Sequence, residues 1–316
     1  MKHVTVSQLR YHWRVYLFVV PSLCLLLTFA YFPAMGAIYY SFFNWDGGFV
    51  KEFIGFGNYV RALSDPYVRH GYFVVGILVC ANLFKMVPSI AAAVVIHRLK
   101  SARSGYFYRV CFVIPMIIPG IVMILVWKYF YDPNFGILNQ FLEFTGLLDA
   151  LIALDGVFGW DVFVEDSAPA WLSRPELIIP ALILWGFPWV GTIGVLIYLS
   201  GLSSISDDIY DAAKVDGAGP FRTFLSVELP LILTQVRINL ILMIIGTIKE
   251  YGLTLVLLGH TGGPGGVGLV PGLYMFRRAF YDKETEMGYA CSLGIIMFLI
   301  ILALTFVNQK FVRVDK

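Results

Sequence analysis

The sequence predicts an all-α integral membrane protein with six transmembrane helices, both termini inside (N-in/C-in), and a polar cytoplasmic element between the fourth and fifth helices. Three observations carry this. Of the 316 residues, 59% are hydrophobic and 14% charged, against about 25% charged in a soluble domain, and the mean hydropathy is +0.77. Six apolar stretches reach the roughly 20 residues a helix needs to cross a hydrocarbon core. Lysine and arginine are unevenly shared among the segments between them. The whole chain, 1–316, reads as one membrane domain.

The stretches are 15–43, 72–96, 110–131, 177–200, 231–258 and 288–307. Lipid offers the backbone no partner, so each is expected to be helical. The first follows Arg10 and Arg14 but is longer than the apolar region of a signal peptide and lacks a small-residue cleavage site, so it reads as a retained span. With the N-terminus inside, the inner segments hold Lys2, Arg10, Arg14, Arg98, Lys100, Arg103, Arg109, Lys214, Arg222, Lys310, Arg313 and Lys316. The outer segments hold Lys51, Arg61, Arg69, Arg174, Arg277, Arg278 and Lys283. This excess inside sets the orientation. The segment 132–176 has Arg174 as its sole basic residue and is the clearest external loop.

Several function classes are excluded. A net charge of +2 without a long basic block argues against nucleic acid. Cys24, Cys80, Cys111 and Cys291 stand singly, which argues against zinc, redox chemistry or disulfides and leaves them as small packing residues. The glycine-rich turn HTGGPGG has no Lys-Ser or Lys-Thr after it, so the chain is not expected to bind ATP, and His260 within it reads as a loop residue. No HExxH or GxSxG occurs, and neither catalytic nor metal-ligating residues are expected.

The polar element contains DAAKVDGAGPFRTFLSVELP, 211–230. Ser206 stands at an N-cap position with Asp207 and Asp208 in the first turn, where they complement the helix dipole. Gly217 suits the left-handed residue after a helix, and Pro220 suits the first position of the next. Two short helices are therefore expected, ending at Pro230 where the fifth span begins. Ala212 and Ala213 leave little bulk on one side, beside Asp211 and Asp216. From the residues alone this is either a surface built for close approach or a solvated connector turned by Gly and Pro.

Polar groups inside spans are expensive and mark candidate solute contacts. Asn82 and Lys85 lie one turn apart in the second span. Lys249 and Glu250 interrupt the fifth, about 28 to 30 Å beyond Pro230 along an unbroken helix, and the flanking Gly246 and Gly252 point to a broken helix facing a cavity. A kink with an internal ion pair, or a charge near the outer interface, is the alternative. Trp185 and Trp189 are one helical turn apart around Pro188 in the fourth span. Their faces suit sugar rings, though packing and interfacial belts use tryptophan too. Tyr251 is the best placed other aromatic. Tyr39, Tyr40, Phe42 and Phe43 read as a belt at the outer end of the first span.

The polar element resembles the signature loop of permease subunits in binding-protein-dependent ABC importers: Glu-Ala-Ala, three residues, Gly, nine residues, Ile, any residue, Leu-Pro. Asp211, Ala212, Ala213, Gly217, Val227, Leu229 and Pro230 fall in register, with Asp for Glu and Val for Ile. YFPAMGAIYYSFFNWDG, GFGNY, HTGGPGG, LYMFRRAF and MGYACSLG are similar to the carbohydrate branch, within it the maltose and polysaccharide importers. The resemblance implies that 203–230 is a coupling loop docking on an ATPase subunit. It also implies a second, different permease chain, two ATPase subunits that bind ATP and Mg, an extracytoplasmic sugar-binding protein, and a multi-pass position in the lipid of a bacterial cytoplasmic (inner) membrane. No cofactor and no bond chemistry belong to this chain on that reading. Residues 148–170 are longer than the usual loop of the family. An ion-gradient-driven transporter is the alternative, and no inverted internal repeat supports it.

Overall fold

The computed structural model describes residues 13–49, 51–159, 161–164 and 167–311. Lys2, Arg10, Arg313 and Lys316, used above for orientation, lie outside them. The described chain is mostly helical and divides into two compact units, one drawn from Met1–Asp65 and Met275–Ile296, the other from Pro66–Tyr274 and Met297–Lys316.

In the first unit, α1 (Trp13–Leu26), a π-helical turn (Leu27–Tyr31) and α2 (Phe32–Tyr40) follow without a break. The span Leu17–Tyr40 buries none of its apolar window inside the chain, leaving that surface for an apolar surrounding. Beyond it, β1 (Phe43–Trp45) and β2 (Lys51–Phe53) pair antiparallel, and α3 is Gly57–Ser64. The Lys51 ammonium sits 4.7 Å from the ring centroids of both Tyr39 and Tyr40 and 5.3 Å from that of Phe43.

The second unit opens with α4 (Pro66–His97), the longest helix described. Then come α5 (Ala102–Val113), a 3₁₀ turn (Ile114–Ile117) and α6 (Gly120–Phe130). The third predicted span is therefore bent, by 90°. The cause is local: Ile118, extended at ψ 126, precedes Pro119, whose ring pushes its neighbour out of the helical region.

The segment 132–176, which reads from sequence as an external loop, is folded rather than open. It holds α7 (Ile137–Phe144) and α8 (Leu147–Phe158) around a core of Tyr131, Leu142, Val162, Trp171, Leu177 and Ala181. Buried Asn139 accepts from the Trp171 indole at 2.7 Å and donates to the Pro169 carbonyl at 3.1 Å. Asp155 accepts the Val162 amide at 2.7 Å. Side-chain partners for loop backbone are what let such a segment fold compactly.

The fourth predicted span is two helices, α9 (Pro175–Leu184) and α10 (Thr192–Leu202), with residues 185–191 between them. A small core of Ala93, Val94, Ile96, Val195, Tyr198, Leu199, Leu202 and Ile232 fixes α10 against the end of α4. The polar element gives α11 (Asp207–Val215) and α12 (Pro220–Thr223), then a π-helical turn (Phe224–Glu228) and α13 (Leu229–Leu231). A 70° bend separates these from α14 (Leu233–Lys249), and α15 is Gly252–Leu258. The fifth stretch is thus broken at Lys249–Glu250, as its charges and glycines predict, and also at Ile232 near its start, which they do not. Helices α16 (Pro271–Phe280) and α17 (Met287–Phe311) complete the chain. By length and composition, three helices among the described residues can cross a membrane, or five if each bent pair is one span.

In the first unit, Glu286 pairs with Arg61 at 2.6 Å and with Arg278, and the Tyr289 hydroxyl donates to Asp65 at 2.7 Å. Cys24, Cys80 and Cys111 are exposed rather than packed. On helices whose apolar surface faces outward, a small apolar residue is at home there too.

Candidate functional site: a polar cavity and a capped hairpin

Two features of the second unit stand out, a cavity among the broken helices and the hairpin 206–230. The cavity has a volume of about 720 Å³. It is lined from α4 by Asn82, Lys85 and Ser89, from the break at 185–191 by Trp185 and Trp189, and from α14 and α15 by Asn239, Thr247, Glu250 and Thr254.

The break near Trp185 and Trp189 corrects the helical spacing expected for them. Helix α9 ends at Leu184; Trp185 is extended at ψ 127, Gly186 has φ +78, the Phe187–Pro188 peptide is cis, and Trp189 has φ +61. Side chains hold this backbone. The Trp185 carbonyl accepts from the Lys85 ammonium at 3.4 Å, and the Trp189 carbonyl from the Ser89 hydroxyl at 3.2 Å. The Ser89 oxygen in turn accepts the Gly191 amide at 2.9 Å, and the Trp189 indole donates to the Ile183 carbonyl at 3.2 Å. The Lys85 ammonium lies 5.8 Å from the Trp189 ring centroid, within cation–π reach.

On the opposite wall the Asn82 amide donates to the Thr247 hydroxyl at 2.9 Å, and that hydroxyl donates to the Met243 carbonyl at 2.8 Å. The ladder stops at Lys249, and the Glu250 carboxylate accepts the Leu253 amide at 2.7 Å. Glu250 thereby caps α15 with its own side chain. Lys249 and Glu250 form no ion pair, and Lys249 and Tyr251 do not line the cavity. Sequence reasoning missed Ser89, Asn239, Thr247 and Thr254. The signal for Ser89 was its place one turn beyond Lys85 on the Asn82 stripe; Asn239 is a polar residue in an apolar helix, and the threonines carry no such mark.

Chemically the cavity presents amides, hydroxyls, one ammonium, one carboxylate and two indole faces. This set can hold a polar solute with flat apolar patches. Among the described residues no group of three or more His, Cys, Asp or Glu could hold a metal ion.

The hairpin follows its sequence closely. Ser206 is extended at the N-cap, though its side chain makes no capping bond. Gly217, at φ +71, ends α11 with paired bonds: the Ala218 amide donates to the Ala213 carbonyl at 2.9 Å and the Gly217 amide to the Lys214 carbonyl at 3.0 Å, a Schellman motif. Pro220 opens α12. Asp211 and Ala212 are exposed, whereas Ala213 is 8% exposed and packs inward. Asp211 pairs along its own helix with Lys214 at 2.8 Å, which raises the lysine's affinity for its proton. Leu229 is half-buried and Pro230 exposed.

Known proteins resemble this chain over most of its length. A Bacillus subtilis (strain 168) protein described as "Probable ABC transporter permease protein YurN" is 30% identical over 310 residues, covering 95% of this chain and 96% of that one. The "Diacetylchitobiose uptake system permease protein NgcF" of Streptomyces coelicolor is 29% identical over 93% of this chain and 81% of its own. The "Trehalose/maltose transport system permease protein MalF" of Thermococcus litoralis is 27% identical over 93% and 92%. A chain in the crystal structure of a bacterial ABC transporter involved in the import of the acidic polysaccharide alginate shares the fold, with a TM-score of 0.76 at 18% identity over 97% of both chains. Residues 86–313, most of the chain and all of the cavity and hairpin from Met86 onward, match the family described as binding-protein-dependent transport system inner membrane component, and the chain belongs to that family.

Proposed function

We propose that this chain is the membrane-spanning permease subunit of an ATP-driven importer of a sugar or oligosaccharide, delivered by an extracytoplasmic binding protein. The observation that carries the reading is the pairing of a polar, indole-lined cavity with a separate capped hairpin on the same unit. In this reading the chain has six spans, N-in and C-in, in a bacterial inner membrane, with 132–176 outside and 203–230 in the cytoplasm. Helix α11, with Asp211, Ala212, Ala213 and Gly217, docks on an ATPase subunit, and Leu229 and Pro230 set where the hairpin rejoins the fifth span. Two ATPase subunits bind ATP and Mg. A second, different permease chain completes the pathway, and this chain breaks no bonds itself.

Asn82, Lys85, Trp185, Trp189 and Glu250 form the solute path, with Lys249 and Tyr251 flanking Glu250 in the chain. The indoles stack on apolar sugar faces, and the amide, ammonium and carboxylate take hydroxyls. The sugar names of the relatives support this class, and so does the mixed lining of the cavity.

The test is gentle extraction of the tagged chain in a trapped ATP state. Recovery of an ATPase and a second permease, lost on Asp211→Lys or on deletion of 207–217, is expected. Uptake that continues with an uncoupler present and stops on ATP depletion is expected as well. A chain that purifies without an ATPase and transports on an ion gradient would overturn the reading.

A further inference from the structure

The coupling hairpin is tied to α4 by a buried charge network that the family motif does not contain. Glu228 stands between the motif positions Val227 and Leu229, and its side chain is 0% exposed. Both of its oxygens are held by Arg98: Nε to Oε1 at 3.2 Å and Nη2 to Oε2 at 2.7 Å. The same Nη2 donates to the Pro220 carbonyl at 2.9 Å. The Tyr210 hydroxyl, next to Asp211, donates to Oε1 at 3.4 Å, and His97 Nε2 lies 3.1 Å from that hydroxyl. Burial first, and Glu228 beside it, push the Tyr210 hydroxyl up to about 12, so it stays a donor at any working pH. With its proton given to Glu228, it accepts from His97, which requires the Nε2–H tautomer.

Three separate parts of the hairpin, Tyr210, Pro220 and Glu228, thus converge on two consecutive residues at the end of α4. The planar guanidinium meets this geometry in a way an ammonium cannot, because it has enough donors, in a fixed fork, for both oxygens and a carbonyl at once. A buried ion pair is seldom the most stabilising filling for a site, so specificity of position is the better reason for its presence. Arg98 also remains in register with the helix, its amide bonding the Val94 carbonyl at 3.0 Å. Back along α4, Lys85 and Asn82 at the cavity are 13 and 16 residues away, about 20 and 24 Å. Pro88 removes one rung between them, yet α4 continues through it.

We propose that Arg98 and Glu228 are positioning residues that make the coupling hairpin and the end of α4 one rigid body, so that displacement of α11 arrives at Asn82 and Lys85 in the cavity. The proposal rests on the reading of α11 as the ATPase contact for its consequence, but not for its geometry.

Spin labels at positions 100 and 208, with the four native cysteines replaced by alanine, report the distance between the end of α4 and α11 by pulsed electron resonance. The full chain is measured in lipid nanodiscs, in whatever assembly it is extracted with. A single narrow distance is expected, at least twofold broader in Arg98→Ala, and narrow again when Arg98→Glu is combined with Glu228→Arg. Arg98→Lys, a milder change that keeps the charge but not the fork, serves where the alanine variant does not fold, and is expected to broaden the distribution as well. In the assembled importer the distance is expected to stay fixed between the nucleotide-free state and ATP with vanadate. A distribution equally narrow in the variants, or a distance that shifts with nucleotide in the unaltered chain, overturns the proposal. The variant comparison needs no ATPase, so its failure is distinct from failure of the co-purification that tests the function.

Discussion

The hairpin at 206–230 and the break at 185–191 both turn the chain sharply, and they do so by opposite means. In the hairpin the residues prefer the conformations they adopt: glycine takes φ +71 and proline opens a helix. In the break a tryptophan takes φ +61, where a bulky side chain is an outlier. Its backbone is held by Ser89, the Trp185 carbonyl by Lys85, and both holders come from another helix. A turn made of local preferences can be built anywhere; a turn imposed from outside keeps its shape only while the surroundings stay in place.

The largest effect is expected where the hairpin meets α4. Arg98→Ala leaves Glu228 buried without its partner. Breaking a buried pair costs about 3–5 kcal/mol, and the lower end applies because the Arg98 side chain is 34% exposed. A fall in the unfolding temperature of the purified chain by several degrees is the expected reading, and an unchanged value would show that the hairpin is stable by its local bonds alone. Gly217→Val comes next. A β-branched residue in the left-handed region costs about 1–2 kcal/mol, and nothing lies within 4 Å of a Cβ there, so backbone conformation is the whole penalty. Expected are a matching loss of stability and weaker ATPase recovery; Gly217→Asn, which tolerates φ > 0, should restore both.

The difference between the two regions also explains what the sequence could convey. The extent of α11, the role of Gly217 and the start of α12 were all legible, because the residues that stop and start helices act on their own neighbours. The break of the fifth stretch at Lys249–Glu250 was legible from charge and flanking glycine. The two-helix form of the fourth stretch was not: its apolar composition runs through Trp185 and Trp189, and the groups that hold it apart sit about a hundred positions earlier in the chain. The helices α7 and α8 escaped notice for a related reason, since Asn139 stabilises that segment by bonds to Pro169 and Trp171, 30 and 32 positions further on.

A smaller effect separates two roles of Glu250. As the cap of α15 its carboxylate accepts one backbone amide, and loss of a cap costs about 1 kcal/mol. Glu250→Ala should show that loss, whereas Glu250→Gln keeps an acceptor and should stay within about 0.5 kcal/mol of the unaltered chain. If the charge also meets the solute, both variants lower uptake of the sugar that the binding protein carries. Uptake unchanged in both would leave Glu250 as a cap only.

The smallest effect on stability, and the sharpest test of the comparison, is expected at Trp189. Glycine at this position removes a left-handed strain of about 1–2 kcal/mol, and at the same time removes indole packing against Phe187 and the bond to Ile183. These contributions oppose one another, so Trp189→Gly should unfold within a few degrees of the unaltered chain. Uptake should nonetheless fall at least tenfold, because the indole face is lost from the cavity. Trp189→Ala keeps the strain without the ring and should be the less stable of the two. If instead both variants unfold far below the unaltered chain, the indole is a packing residue, and the break at 185–191 is held by its aromatic contacts rather than by Lys85 and Ser89.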